Sequence, residues 1–210
     1  MSLRARSKFV PDHKLAVRSG VTLFCARDNL RCHWARIVLA EKDVDGARTE
    51  WVTPGKPSED LLVLNPSLSL PTLTDRDTVI HPERVIVEYL DERYPHPKLL
   101  PPDPAARALV RMTLLRIEQE LFPLVEHIIA GGGDLRSARK TLTGHLITSA
   151  KLCPARGWFM GLEFSLADCA WAAVLYRLPG LGLKLPPEAA GIVRYAERLF
   201  QRPAFQKTLK

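Results

Sequence analysis

Pro95-His96-Pro97-Lys98-Leu99-Leu100-Pro101-Pro102-Asp103-Pro104 is half proline, and its reading divides the chain into two parts of different kind. Proline locks φ and donates no backbone hydrogen bond, so this segment cannot continue a helix and is expected to run as an extended, stiff connector. Upstream of it, β-prone and helical stretches alternate. Downstream, the β signal disappears. The expected organisation is a basic flexible tail at 1–20, an α/β part at 21–94, a linker at 95–104 and an all-helical part at 105–210.

In the upstream part, Val21-Thr22-Leu23-Phe24-Cys25 is a short β-prone run, and polar Arg27-Asp28-Asn29 suits a turn and the start of a helix. Trp34, Ile37, Val38 and Glu41 then follow at helical spacing to about Lys42. Strands are expected at Arg48–Val52, Thr72–Asp75 and Thr78–Ile80, the last two joined by an Asp-Arg-Asp turn. A short helix or loop covers Pro57–Leu64. Pro82 stands where a first helical residue belongs, ahead of the stripe Ile86, Tyr89, Leu90. The order is β-α-β-α-β-β-α.

In the downstream part, Leu114, Ile117, Leu121, Leu124 and Ile128 recur at steps of three and four, the stripe of a helix that stops at Gly131-Gly132-Gly133. Pro123 is expected to kink it. Further helices are expected at about 135–150 and 188–201. Between them, Ser165-Leu166-Ala167-Asp168 has the spacing of a capping box, with Ser165 and Asp168 the structural pair. The run Cys169–Tyr176 that follows is apolar on all sides, which marks a helix at the centre of a bundle.

Composition narrows the function classes. With 46% hydrophobic and 25% charged residues the chain is neither disordered nor fibrous. Its longest apolar run is far short of the roughly 20 residues of a membrane span, and the N-terminus lacks the apolar core of a secretory signal. A cytoplasmic location without membrane contact is the expectation. Cys25, Cys32, Cys153 and Cys169 have no zinc-ligand spacing and are too few for a disulfide framework, so free thiols and no metal are expected. Of the formal charge of +7, the first 20 residues carry +4, against +3 on the other 190. That placement makes direct DNA binding an unfavoured reading.

Three local motifs stand in order along the chain: Leu70-Pro71-Thr72-Leu73, Phe164-Ser165-Leu166-Ala167-Asp168 and Gln201-Arg202-Pro203-Ala204-Phe205. Together with the element order and the proline-containing linker they resemble the glutathione transferase superfamily. That resemblance implies an N-terminal thioredoxin-like domain with a cis bond before Pro71, and a C-terminal helical bundle. Within the superfamily, Arg36-Ile37-Val38-Leu39-Ala40-Glu41-Lys42, Leu64-Asn65-Pro66 and the stretch Glu88 to Pro97 resemble its non-enzymatic, RNA polymerase-associated bacterial branch. The resemblance covers the chain from about Thr22 onward. It implies a stress-response transcription regulator, homodimeric as the superfamily usually is, with RNA polymerase holoenzyme as its partner and no cofactor.

The alternative is a working glutathione transferase or glutathione-dependent reductase. In such enzymes a hydroxyl or thiol near the start of the first helix meets the glutathione sulfur; the corresponding position falls near Asn29, which is no nucleophile. Cys25 and Cys32 read as small apolar filler. The acidic residue and serine that hold the γ-glutamyl carboxylate are replaced by Pro82-Glu83, where a proline offers no hydrogen bond and Glu83 is expected to repel a carboxylate. No catalytic residue is therefore assigned. On composition alone Pro95-His96-Pro97 is plain linker; the resemblance implies instead that Tyr94, Pro95, His96 and Pro97 form the surface that contacts the polymerase.

Overall fold

A computed structural model describes residues 20–53 and 55–209; the basic tail, residue 20 apart, lies outside the described residues. The first part contains β1 (Val21–Cys25), α1 (Leu30–Lys42), β2 (Arg48–Trp51), α2 (Glu59–Leu64), β3 (Thr72–Asp75), β4 (Thr78–Ile80) and α3 (Glu83–Arg93). The strands form one sheet in the order β2-β1-β3-β4, with β1 parallel to β2 and antiparallel to β3, and β3 antiparallel to β4. Side chains alternate across a strand, and β1 uses both faces. Val21, Leu23 and Cys25 join the main core with α1 and α3, while Phe24 packs on the other side with Val52 and Leu61 of α2. This is the expected thioredoxin-like arrangement, and the Leu70–Pro71 bond is cis, as are His81–Pro82 and His96–Pro97.

The helical part holds α4 (Pro104–Arg116), α5 (Phe122–Ala130), α6 (Leu135–Ala150), α7 (Leu166–Leu175), α8 (Ala190–Phe200) and α9 (Pro203–Lys207). Every residue of α7 is buried, and α1 packs against it as well as against α3. One continuous core therefore runs through both parts. Asp168 sits at its heart with no exposure. Its carboxylate accepts from the Ser165 N–H and Oγ, each at 2.8 Å, from the Phe159 N–H at 2.9 Å and from the Tyr195 hydroxyl at 2.5 Å. Burial still pushes its pKa up.

Three expectations change in detail. Pro82 is the residue before α3 rather than its first: its backbone is extended, and its carbonyl opens the helix by accepting from Val85 and Ile86. Pro123 lies in the first turn of α5, just after a change of winding, rather than inside one regular helix. The five residues Ile117–Leu121 wind as a wider π-turn instead, with the Phe122 N–H reaching the Ile117 carbonyl, so α4 and α5 continue through a local unwinding. The connector is shorter than the proline count suggests. Pro104 is already the first residue of α4, capped by the Asp103 carboxylate on the Ala106 N–H at 2.7 Å, and Leu99 and Leu100 are buried.

Candidate functional site

Helix α3 ends at Arg93, and Tyr94 closes it with its N–H on the Leu90 carbonyl at 3.0 Å. The Tyr94 ring is half-buried against the core. Pro95, His96, Pro97 and Lys98 then stand exposed before the chain dives at Leu99. Beneath the tripeptide lies a buried ion pair. The Lys42 ammonium, at the end of α1, donates to both the Asp91 carboxylate of α3 and the Pro97 carbonyl, and its side chain has no exposure. Asp91 in turn accepts from the Leu99 N–H at 2.7 Å and the Leu100 N–H at 3.0 Å. The Leu99 carbonyl accepts from the Leu166 N–H at 2.9 Å, so the connector is also tied to the start of α7. The exposed tripeptide is thus fixed from below on both sides of its turn.

A groove of ≈ 710 Å³ opens beside it, lined by His96 and Pro97 together with the buried Leu99, Leu100 and Val110 and with Met160, Leu162 and Phe164. Leu162 is 87% exposed. Arg202 also lines it, its guanidinium 3.7 Å from the Phe164 ring centre and paired with Glu41 at 2.6 and 2.7 Å. The surface combines fixed prolines, an imidazole and apolar side chains that nothing covers among the described residues.

The positions that would serve glutathione look different. Asn29 precedes α1 and its Oδ1 accepts from the Cys32 N–H at 2.8 Å, so its side chain caps the helix. Cys25 and Cys32 are fully buried; burial pushes the Cys25 thiol well up, while hydrogen bonds from Cys25 and from the Ala26 N–H pull the Cys32 thiol down, so what disqualifies both is that neither sulfur reaches solvent. Glu83 is not the free anion expected from the sequence. Arg31 donates to it and also to Glu126, at 2.8 and 3.2 Å for the latter, so one cation from α1 is shared between carboxylates of α3 and α5 and the set keeps a net negative charge. Glu83 is committed to Arg31, and Pro82 has no side-chain donor for a carboxylate. Among the described residues no group of three His, Cys, Asp or Glu side chains could hold a metal ion, and no helix is long and apolar enough to cross a membrane.

The Lys42–Asp91 pair and the Arg31 bridge are the residues that sequence reasoning missed. A signal existed: Lys42 lies four residues beyond Val38 and Asp91 four beyond Val87, both on buried stripes. A charge on such a stripe needs a partner.

Residues 31–93 match the family model of the glutathione S-transferase N-terminal domain, and residues 139–203 that of the glutathione S-transferase C-terminal domain. The chain is 42% identical over 194 residues to a stringent starvation protein A homolog of Pasteurella multocida, covering 91% of each chain. It is equally 42% identical to a homolog of the same name from Coxiella burnetii, covering 91% of this chain and 92% of the other. Among solved structures it resembles the Tau class glutathione S-transferase of mango, Mangifera indica, with a TM-score of 0.78 and 27% identity over 91% of this chain and 93% of that one.

Proposed function

Because the chain belongs to the stringent starvation protein A family within the glutathione transferase superfamily, we propose that it is a transcription regulator that binds RNA polymerase through the surface around Tyr94, Pro95, His96 and Pro97, and that it does not turn over glutathione. The observation that carries this reading is the exposed tripeptide held by the buried Lys42–Asp91 pair. A recognition loop that is already ordered loses little entropy on binding, and a charge pair placed under a surface loop orders it without occupying its outer face. The apolar groove beside it extends the area a partner can cover.

The dead ends at the glutathione positions support the second half of the reading. Asn29 is committed to capping, Cys25 and Cys32 are sealed, and Glu83 is tied to Arg31. Homodimerisation is part of the proposal. It is supported by an apolar row on α4, where Leu109, Met112 and Leu115 are 53%, 65% and 50% exposed, with Val85 of α3 also 50% exposed. Such a row marks an interaction surface. The regulator would act in the cytoplasm, where its partner works.

The test is a matched pull-down with bacterial RNA polymerase holoenzyme, comparing wild type with a chain in which Pro95, His96 and Pro97 are all alanine. Exposed positions cost little stability, within about 0.5 kcal/mol each, so the variant should fold and keep its oligomeric mass. Losing a hot-spot cluster removes more than about 2 kcal/mol of binding, roughly thirtyfold in affinity. Retained wild-type affinity in the folded variant would overturn the site; no binding by wild type would overturn the function.

A further inference from the structure

Away from the tripeptide surface, the start of α1, the end of β2 and the turn after α7 enclose an open cleft of ≈ 670 Å³, lined by Arg27, Arg36, Arg177, His33, Trp51 and Asp28 among others. It includes none of Asn29, Pro71, Pro82 or Glu83, the positions weighed above for glutathione, and none of Tyr94 to Pro97. Its volume is that of a small-molecule site. Its chemistry is unusual. None of the three guanidiniums forms an ion pair with a carboxylate among the described residues, whereas Arg31, Arg84, Arg111, Arg116 and Arg202 all do. Asp28, exposed, also lines the cleft and leaves the arginines in excess.

The three arginines are nevertheless held in place. Arg27 and Arg36 lie over the Trp51 ring, 4.4 and 4.6 Å from its centre. An Arg36 Nη2–H is fixed on the Thr208 carbonyl. Arg177 Nη1 donates to the Ala173 carbonyl at 2.8 Å and meets His33 Nδ1 at 3.0 Å. A guanidinium can only donate, so Nδ1 accepts and His33 is the neutral tautomer with its proton on Nε2. That proton goes to Thr208 Oγ1 at 3.0 Å, and the Thr208 hydroxyl goes to the Phe205 carbonyl at 2.7 Å. The relay from Arg177 to Phe205 is complete, and the histidine in it carries no charge.

Each guanidinium keeps most of its five N–H donors unused by these contacts. Holding cations together in partial burial without counter-charge is unfavourable. Burial, with the Arg27 charge adding to it, pulls the Arg36 pKa down; burial, followed by the Arg36 charge, does the same for Arg177. A carboxylate from within the chain would relieve that cost, and among the described residues lining the cleft Asp28 is the one acid. We propose that the cleft is a binding site for a small, multiply charged phosphate compound, with Arg27, Arg36 and Arg177 as the ligating cations. Guanidinium forks match phosphate oxygens two at a time, and three of them around one cavity suit a ligand bearing more than one phosphate. Two arginines already lie over Trp51, so the anionic part of the ligand supplies the recognition.

The experiment titrates the full chain with inorganic pyrophosphate at low ionic strength by calorimetry, with inorganic phosphate and a short DNA duplex as separate arms. Saturable one-to-one binding of pyrophosphate is expected, at least about tenfold tighter than phosphate, since each extra charge-assisted contact is worth about one factor of ten. Arg177→Gln and Arg36→Gln should each weaken it by about tenfold or more. Arg27 is exposed and makes no hydrogen bond among the described residues, so Arg27→Gln folds whatever becomes of the other two and should weaken binding by about fivefold or more. Arg194→Gln, an exposed α8 residue outside the cleft, should leave it unchanged. The proposal fails if wild type shows no saturable pyrophosphate binding, or if Arg27→Gln binds like wild type. It also fails if Arg194→Gln loses as much as Arg27→Gln, or if duplex DNA binds through the same arginines more tightly than pyrophosphate, which would assign the cleft to a nucleic-acid backbone.

Discussion

Lys42→Met tests the foundation under the tripeptide. The substitution keeps the length and most of the volume of the side chain but removes its charge and its donors to Asp91 and the Pro97 carbonyl. Asp91 is then a carboxylate 7% exposed at its side chain with no cation beside it. Breaking one partner from a buried pair costs about 3–5 kcal/mol. The lower end applies here, because Asp91 keeps the Leu99 and Leu100 N–H groups as donors. For a chain of 210 residues each kcal/mol moves Tm by about 2–4 °C, so a fall of about 6–12 °C is expected. Adding Asp91→Asn removes the stranded charge while leaving an acceptor for the linker amides. The double variant should therefore be more stable than Lys42→Met alone, by about 1–2 kcal/mol in urea unfolding. The reasoning is refuted if Lys42→Met lies within about 1 kcal/mol of wild type, or if the second substitution brings no recovery. Polymerase affinity should fall in Lys42→Met even at temperatures where the chain is fully folded, because the loop has lost its inner attachment.

Three further outcomes follow from buried groups. Burial, reinforced by the Arg177 and Arg36 charges, pulls the His33 pKa down to about 3. The unfolded chain thus binds a proton between about 3 and 6.5 that the folded chain does not, and stability should rise with pH across that window by about 1.4 kcal/mol per unit. His33→Gln should flatten this slope in urea titrations at pH 4.5 and 6.5, and an unchanged slope would contradict the neutral relay. Tyr195→Phe deletes a donor to the Asp168 carboxylate, whose folded pKa already lies above its ordinary value through burial. The Tyr195 hydroxyl stabilises the ionised carboxylate, so its contribution is present above the folded pKa and is lost as pH falls through it; the variant's deficit, about 1.5–3 kcal/mol at neutral pH, should therefore shrink towards pH 4, and a deficit independent of pH would count against it. Glutathione titrated calorimetrically at millimolar concentration should give no saturable heat, and a micromolar Kd or conjugation of an aryl halide would restore the enzyme reading.

The strands and helices were legible because their signals are local. Val21–Cys25, Thr72–Asp75 and Thr78–Ile80 carry β-prone residues between turn residues, and all three are strands over those residues. Proline was read correctly as punctuation but not always in its position. Pro82 works through its carbonyl one place before α3, and Pro123 stands in the first turn of α5 directly after a π-turn. Exposure of Pro95, His96 and Pro97 could be inferred from composition. What holds them could not: Lys42 and Asp91 are 49 residues apart in the sequence, and their pairing depends on how α1 and α3 lie together. The arginine cleft was invisible for the same reason, since its cations come from the β1–α1 turn, the middle of α1 and the turn after α7.

The complete burial of α7 against α1 has a consequence for synthesis on the ribosome. Helix α1 ends at residue 42 and its cover begins at residue 166, so at ordinary elongation rates of about 5–20 residues per second the two are separated by roughly 6–25 s. During that interval the nascent N-terminal half carries the α7-facing side of α1 uncovered, including part of an apolar face that the finished protein hides entirely. The nascent chain is therefore a client for chaperones that hold exposed apolar helices, and a pause in translation between residues 42 and 166 should lower the soluble yield without altering the stability of the molecules that are completed.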